Sequence, residues 1–256
     1  RQKTLDRIES VMKKSILKTL LSRLTRSERD PDEIDKKFKE RLKQFPDSPE
    51  LLYNYARFLW DVPKDYDRTE NCLKKALEVD HDPRTLAITN GAYARFLKTI
   101  RGDHDKAEGF YKKALELHPE STFCLGDYAL FLADIRKDYD RAEELIRMAI
   151  RLEPKNASIL YIYAYFLTEA RKDYDRADEC YKRLIEMNPV KAFHLGAYAH
   201  FLTTIRKDHD RAEEFFKKAA ALDWSALNMS SYAIFLTDVR KDYDRAEWLL
   251  KNALKL

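Results

Sequence analysis

The phrase Tyr-Ala-x-Phe-Leu, followed a few residues on by Asp-Tyr/His-Asp-Arg/Lys, returns six times along this chain. Its anchors are Tyr55, Tyr93, Tyr128, Tyr163, Tyr198 and Tyr232. Self-similarity at a spacing of about 35 residues marks supersecondary units that cannot bury their apolar faces alone and must stack on one another. A single globular core is excluded by that recurrence. The composition agrees: 36% of residues are charged and only five are glycine, as expected of amphipathic helices.

One unit, from Thr122 to Pro154, shows how the phrase predicts two helices. Phe123, Tyr128, Ala129, Phe131, Leu132 and Ile135 recur at helical spacing, and Arg136-Lys137 place cations at the negative end of the helix dipole. Asp138-Tyr139-Asp140 makes the turn. Asp140 is the expected N-cap of the second helix, with Glu143 three residues on completing a capping box. The pattern returns at Asp67/Glu70, Asp105/Glu108, Asp210/Glu213 and Asp244/Glu247, whereas Asp175 is followed by Asp178. The second helix is expected to present Ala142, Leu145, Ile146, Ala149, Ile150 and Leu152 inward and to end before Pro154. Ala56, Ala94, Ala129, Ala164, Ala199 and Ala233 hold one first-helix position, and Ala107, Ala142, Ala177, Ala212 and Ala246 hold one in the second, with Thr69 in the remaining unit. Small residues at both positions predict a close crossing within each pair.

These residues resemble the tetratricopeptide repeat family. Ala129 is similar to the small residue of that family's helix A, and Asp138-Tyr139, Ala142, Ile146, Ala149 and Pro154 to its turn-and-helix-B set. The resemblance implies an all-α fold, a right-handed superhelical α-solenoid of antiparallel helix pairs, without enzymatic activity. One departure is systematic: Arg-Lys stands where the family has a turn glycine, only Gly102 survives there, and the unit is one residue longer. A slightly extended turn between helices A and B is the expectation. The reading divides the chain into a basic amphipathic helix at 1–29, a degenerate half-repeat at 30–48 carrying Ile34, Phe38 and Leu42, and six repeats over 49–256.

The resemblance also implies that helices A line a concave groove for a protein or peptide partner. Carried over position by position, the groove holds Tyr53, Asn54, Arg57, Trp60, Arg95, Lys98, Phe123, Leu130, Tyr161, Tyr165 and His200, with Phe193, Glu169 and Thr204 beside them. Gly91, Gly126 and Gly196 share one groove position, where Tyr53, Tyr161 and Ser230 stand in the other units. Glycine there serves either close approach of a ligand backbone or relief of crowding between adjacent A helices. Arg57, Arg95 and Lys98 precede Asp134, Glu169 and Asp238, an electrical gradient that would orient a bound segment, or charges that merely solvate the face.

At the first end, Leu5, Ile8, Met12, Ile16, Leu20 and Leu24 alternate with lysine and arginine over residues 4–26. Such a helix caps the first repeat, or binds an anionic surface or a calmodulin-like partner. At the other end, Trp248, Leu249, Leu250 and Leu254 lie on a helix with no successor, so a contact with a neighbouring chain or a second copy is expected there. The chain opens on Arg1, which reads as a fragment.

Several classes are set aside. Residues 1–30 hold nine Lys/Arg against four Asp/Glu, which leaves the array itself near −1 and disfavours nucleic acid. No apolar run reaches the ~18 residues of a membrane span. Cys72, Cys124 and Cys180 form no Cys-x-x-Cys pair, which points to a reduced, intracellular and cytoplasmic setting. No catalytic residues, metal ligands or cofactor motif are expected, and Asp-Tyr-Asp lacks the length and glycine of a calcium loop. The leading function is a protein–protein interaction scaffold. The alternatives are a structural subunit assembled through its ends and convex face and, third, an RNA-binding helical repeat.

Overall fold

Each copy of the repeated phrase folds as two antiparallel helices in the computed structural model, which describes residues 30–223 and 225–253. Helix α1 (Pro31–Gln44) comes first. It is followed by the pairs α2 (Pro49–Asp61) with α3 (Tyr66–Val79), α4 (Pro83–Phe96) with α5 (His104–Leu117), and α6 (Thr122–Phe131) with α7 (Tyr139–Leu152). The series continues with α8 (Ala157–Phe166) and α9 (Tyr174–Met187), α10 (Ala192–Phe201) and α11 (His209–Leu222), and α12 (Ala226–Phe235) and α13 (Tyr243–Ala253). The first member of each pair is its A helix and the second its B helix. The expected basic helix at 4–26 and Leu254 lie outside the described residues.

The additional residue of each unit does not lengthen the turn, as had been expected. It is absorbed inside the A helix as a terminal π-helical turn, at Leu97–Arg101, Leu132–Arg136, Leu167–Arg171, Leu202–Arg206 and Leu236–Arg240. One residue in the left-handed region follows: Gly102 at φ 68°, and Lys137, Lys172, Lys207 and Lys241 at 58°. The next N–H then closes back on the start of the π turn, as Asp138 does on the Leu132 carbonyl at 3.1 Å. Repeat one has Pro63 where the others have arginine. Proline has no N–H to give a π turn, and α2 stops at Asp61. Asp65 still donates to the Leu59 carbonyl at 3.0 Å, so the loop closes in the same way.

The N-cap is the first aspartate of Asp-Tyr-Asp and not the second. Asp138 accepts from the Arg141 N–H at 3.1 Å, and Asp65, Asp103, Asp173, Asp208 and Asp242 act likewise. Asp140 is left for a different task. Arg171, at the end of the π turn in the following repeat, reaches Asp140 at 2.6 Å and Glu143 at 2.9 Å and lies over its own Phe166 ring. Arg101, Arg136 and Arg240 grip Asp67/Glu70, Asp105/Glu108 and Asp210/Glu213 in the same way. The anchor tyrosines add a second hydroxyl contact to the same carboxylates, as Tyr163 does to Glu143 at 3.2 Å and Tyr93 to Glu70 at 3.1 Å. Repeat five departs, because Asp178 is one methylene shorter than glutamate. It meets Tyr198 at 2.8 Å, and Arg206 instead bonds Asp175 and the Tyr174 carbonyl. Each copy of the phrase is therefore stapled to its neighbour.

Between the helices of a pair, the alanines at the crossing are sealed: Ala94, Ala129, Ala164, Ala199 and Ala233 have no exposure, and Thr69, which replaces alanine in α3, satisfies its hydroxyl on the Asp65 carbonyl at 2.7 Å. Tyr111, Phe131, Phe166 and Tyr198 fill the space beside them. Of the B-helix residues expected inward, Leu152 is instead exposed, at the helix end where the next turn leads away. Helix α1 lies on α2 through Phe38, whose ring stacks on Tyr55 at 5.0 Å, and Asp35 accepts from the Tyr55 hydroxyl at 2.6 Å. The three thiols are raised to about 11 by burial, and all pack as small apolar groups. No described helix is long and apolar enough to cross a membrane. Successive A helices pack against one another more closely than successive B helices do, so the stack bends with the A layer on its inner side.

Candidate functional site

The residue two before each anchor tyrosine sets how near the next A helix can come. At Gly91 a methyl group would sit 3.3 Å from the Cys124 sulfur, and at Gly126 it would sit 2.8 Å from the Ile162 Cδ1 and 3.0 Å from that of Ile159. Both glycines are buried beneath the following A helix. They belong to packing, and the reading of them as groove residues is corrected. In α8 the same position is Tyr161. Its ring meets Phe193 of α10 edge-on at 5.0 Å, and α8 and α10 pack less closely than α4 with α6 or α6 with α8. A tyrosine in place of glycine acts as a spacer.

The space this opens is a cavity of about 270 Å³ on the inner face, spanning the A helices of repeats four to six. Tyr161, Tyr165 and Phe193 wall it, and Tyr181 and Phe201 close its base. Tyr165 and Phe193 are 38% and 44% exposed, which is high for aromatic rings in so well packed an array. Gly196 belongs to this wall. A methyl there would meet only the Asn228 oxygen, at 3.7 Å, so Gly196, unlike Gly91 and Gly126, has room beside it. The polar lining comes from Thr168, Glu169, His200, Thr204, Asn228 and Ser231. Asn228 donates to the Asp223 carbonyl and carboxylate at 3.1 Å, and Thr204 to the His200 carbonyl at 2.8 Å. Glu169 projects at the rim, with Lys172 3.7 Å away. Burial is the main influence raising the Tyr165 phenol, and the Asp134 and Glu169 carboxylates add to it.

The sequence-predicted groove residues divide in two. Tyr161, Tyr165, Gly196 and His200 come together around this cavity. The N-terminal set is largely engaged in packing. Trp60 meets Phe96 edge-on at 5.4 Å; Arg95 lies over the rings of Trp60 and Phe123 and 3.6 Å from Asp127. Lys98 bonds Asp134 of the next A helix at 2.9 Å. Of the charges in the expected electrical gradient, Arg95, Lys98 and Asp134 are engaged in pairs between adjacent A helices. Burial raises the Asp127 carboxyl against the pull of Arg95 and Lys98. Burial likewise raises the Tyr53 phenol, which stands at the glycine position of repeat one. Asn54 and Leu130 are half-buried and Arg57 is exposed. Thr168, Asn228 and Ser231 were missed, although a signal existed: Ser231 holds the register of Ala197, the edge of an A helix facing the preceding repeat. A gap between helices is lined from two edges, and the sequence reading took one.

At the C-terminal end, Trp248 and Leu250 are 56% and 42% exposed, whereas Leu249 is buried in the last pair and corrected as an end-contact residue. Trp248 borders a second cavity, of about 380 Å³, between α11 and α13. Among the described residues no group of His, Cys, Asp and Glu side chains is arranged to hold a metal ion.

Comparison with known proteins supplies the family context. Residues 171–229 match the family model described as TmcB, TPR repeats. A solved structure from work on Pseudomonas aeruginosa pilF is 19% identical over 86% of this chain and 90% of that one, with a TM-score of 0.56, a likeness of fold. The C-terminal part of a TPR repeat-containing protein from Cytophaga hutchinsonii is 15% identical, covering 88% of this chain and 90% of that one at a TM-score of 0.48. MamA is 22% identical, covering 63% of this chain and 92% of that one at 0.47. No curated protein matches the chain.

Proposed function

The chain is a tetratricopeptide-repeat protein, and from that premise we propose that it is a non-enzymatic scaffold holding a segment of a protein partner on its inner face. One observation carries the proposal. Among the described A-helix residues the exposed aromatic side chains are Tyr165 and Phe193, which stand around a cavity between repeats four and five, whereas the other exposed aromatic residues, Phe45, Tyr243 and Trp248, lie after α1 and on α13. Exposed aromatic groups beside a preformed recess are the usual anchors of protein recognition. The A–A pairs Lys98–Asp134 and Arg95–Asp127 further keep the inner face rigid, which lowers the ordering cost of binding.

Photo-cross-linking tests the face used. Benzoylphenylalanine is placed at Tyr165 on the inner face, at the exposed Glu179 on α9, and at Trp248. Partner adducts at Tyr165 alone are the expected outcome. The exposed Trp248 beside its own cavity favours a second reading, a subunit assembled through its last repeat. Adducts confined to Trp248 would establish that reading in place of the first, and adducts confined to Glu179 would assign the partner to the B-helix face and overturn both.

A further inference from the structure

We propose that the cavity between repeats four and five is a receptor for one cationic side chain, an arginine or lysine carried by the partner segment. This rests on the inner face being the binding face and specifies what that face selects. Size is the first argument. About 270 Å³ lies just below the ~300–1,000 Å³ typical of small-molecule sites and suits a single long side chain. Chemistry is the second. Tyr161, Tyr165 and Phe193 offer aromatic rings, whose faces attract cations. Among the described residues that line the cavity there is no lysine or arginine, and its one carboxylate is Glu169. That carboxylate is about half exposed at the rim, where it forms a long, exposed ion pair to Lys172 at 3.7 Å that a closer cation would outcompete. The aliphatic stem of an arginine or lysine would lie between Tyr165 and Phe193 with its charged head at Glu169, the way long basic side chains cover apolar surface while keeping the charge in polar surroundings. An acidic anchor would instead meet the aromatic faces and Glu169 with the wrong sign, and a purely apolar one would gain nothing from the Glu169 carboxylate at its edge.

The receptor needs a bulky residue at the glycine position of one repeat to part the helices, an exposed aromatic ring on each side, and a carboxylate at the end of the first helix. Among the described residues these features coincide at repeats four and five: repeat one also has a tyrosine, Tyr53, at the glycine position and Asp61 at the Glu169 position, but Arg57 stands where repeat four has Tyr165. Repeat three has Asp134 at the Glu169 position, but Gly126 closes the gap and Lys98 already occupies the carboxylate.

A phage-displayed library of random dodecapeptides, panned against the whole chain, tests this. The expected result is enrichment of peptides sharing a single arginine or lysine anchor. Their affinity should fall about tenfold in Glu169→Gln and in Tyr165→Ala, and further in Glu169→Lys. Both residues are exposed, so the variants should melt as the parent does, and a shared melting temperature separates lost recognition from lost folding. Gly196→Ala, which adds a methyl at the cavity wall with no clash, should also weaken binding. Peptides that lose affinity in Tyr165→Ala yet carry no basic anchor, or bind Glu169→Gln unchanged, would overturn the cationic receptor and leave the inner-face scaffold standing. Enriched peptides indifferent to every one of these variants, or no enrichment at all, would overturn both.

Discussion

At the scale of a residue, the meaning of a glycine in this array depends on what faces it. Gly91, Gly126 and Gly196 occupy one register and none has positive φ, so conformational freedom explains none of them. At Gly126 a methyl would press on the tips of two isoleucines, one of them buried. Alanine gains about 0.5–1 kcal/mol of helix preference over glycine, while overpacking costs about 1–3 kcal/mol. Gly126→Ala should therefore destabilise the fold by about 1 kcal/mol. Gly196→Ala meets nothing closer than 3.7 Å and should stabilise by about 0.5–1 kcal/mol. Urea denaturation of the two variants checks the assignment through the opposite signs. Equal shifts in one direction would mean that the register does not control helix spacing.

At the scale of an element, the A helix ends in a π turn that deposits the next residue in the left-handed region. Four of the five residues so placed are lysines at φ 58°, the fifth being Gly102. A non-glycine residue there carries a steric cost of roughly 1–2 kcal/mol, partly offset by the entropy glycine would lose. Lys137→Gly should raise stability by up to about 1 kcal/mol, and Gly102→Ala should lower it by a similar amount, both read from thermal melts. A drop in stability for Lys137→Gly would assign the lysine charge at the helix terminus a larger role than its backbone strain. The element scale also shows what the sequence made legible. The recurrence at the tyrosines predicted every helix pair from α2 to α13, and the alanine columns predicted the crossings. Asp140 was misassigned for a physical reason: an Asp-x-x-Glu spacing satisfies a capping box and an inter-repeat clasp equally well, and the arginine that decides between them lies about one repeat further on. The cavity was half legible for a similar reason. Tyr161 at a glycine position was visible, but the gap it opens exists only between two helices, and Thr168, Asn228 and Ser231 enter from edges that a register alone does not bring together.

At the scale of the whole molecule, the array is a chain of nearest-neighbour contacts, and its cooperativity depends on the strength of each joint. The clasps at Glu70, Glu108, Asp178 and Glu213 carry part of that coupling. Burial is the largest influence on Glu70, Asp178 and Glu213 and raises them, but hydrogen bonds from lysine, joined by tyrosine at Glu70 and Asp178 and by arginine at Glu70 and Glu213, outweigh it and leave all three below the ordinary carboxylate range. Glu108 is lowered first by Lys112 and, against its burial, by Arg136. A carboxylate depressed in the folded state lends stability that is complete above its unfolded value of about 4.3 and lost as pH falls through the folded one. Joints should therefore loosen below about pH 4 while the alanine crossings within each pair persist. Arg171→Ala opens one central joint at neutral pH. An exposed, two-pronged ion pair of this kind contributes about 1 kcal/mol, small beside the total but placed where the array divides into halves. Hydrogen exchange should then show repeats one to three and four to six opening at different urea concentrations, whereas Arg240→Ala should release only the last pair. If both variants lose protection uniformly along the chain, the clasps are ornaments on a core that couples the repeats without them. If Arg171→Ala divides the molecule, the repeated phrase Asp-Tyr-Asp-Arg-Ala-Glu is the device that makes separate helix pairs unfold as one body.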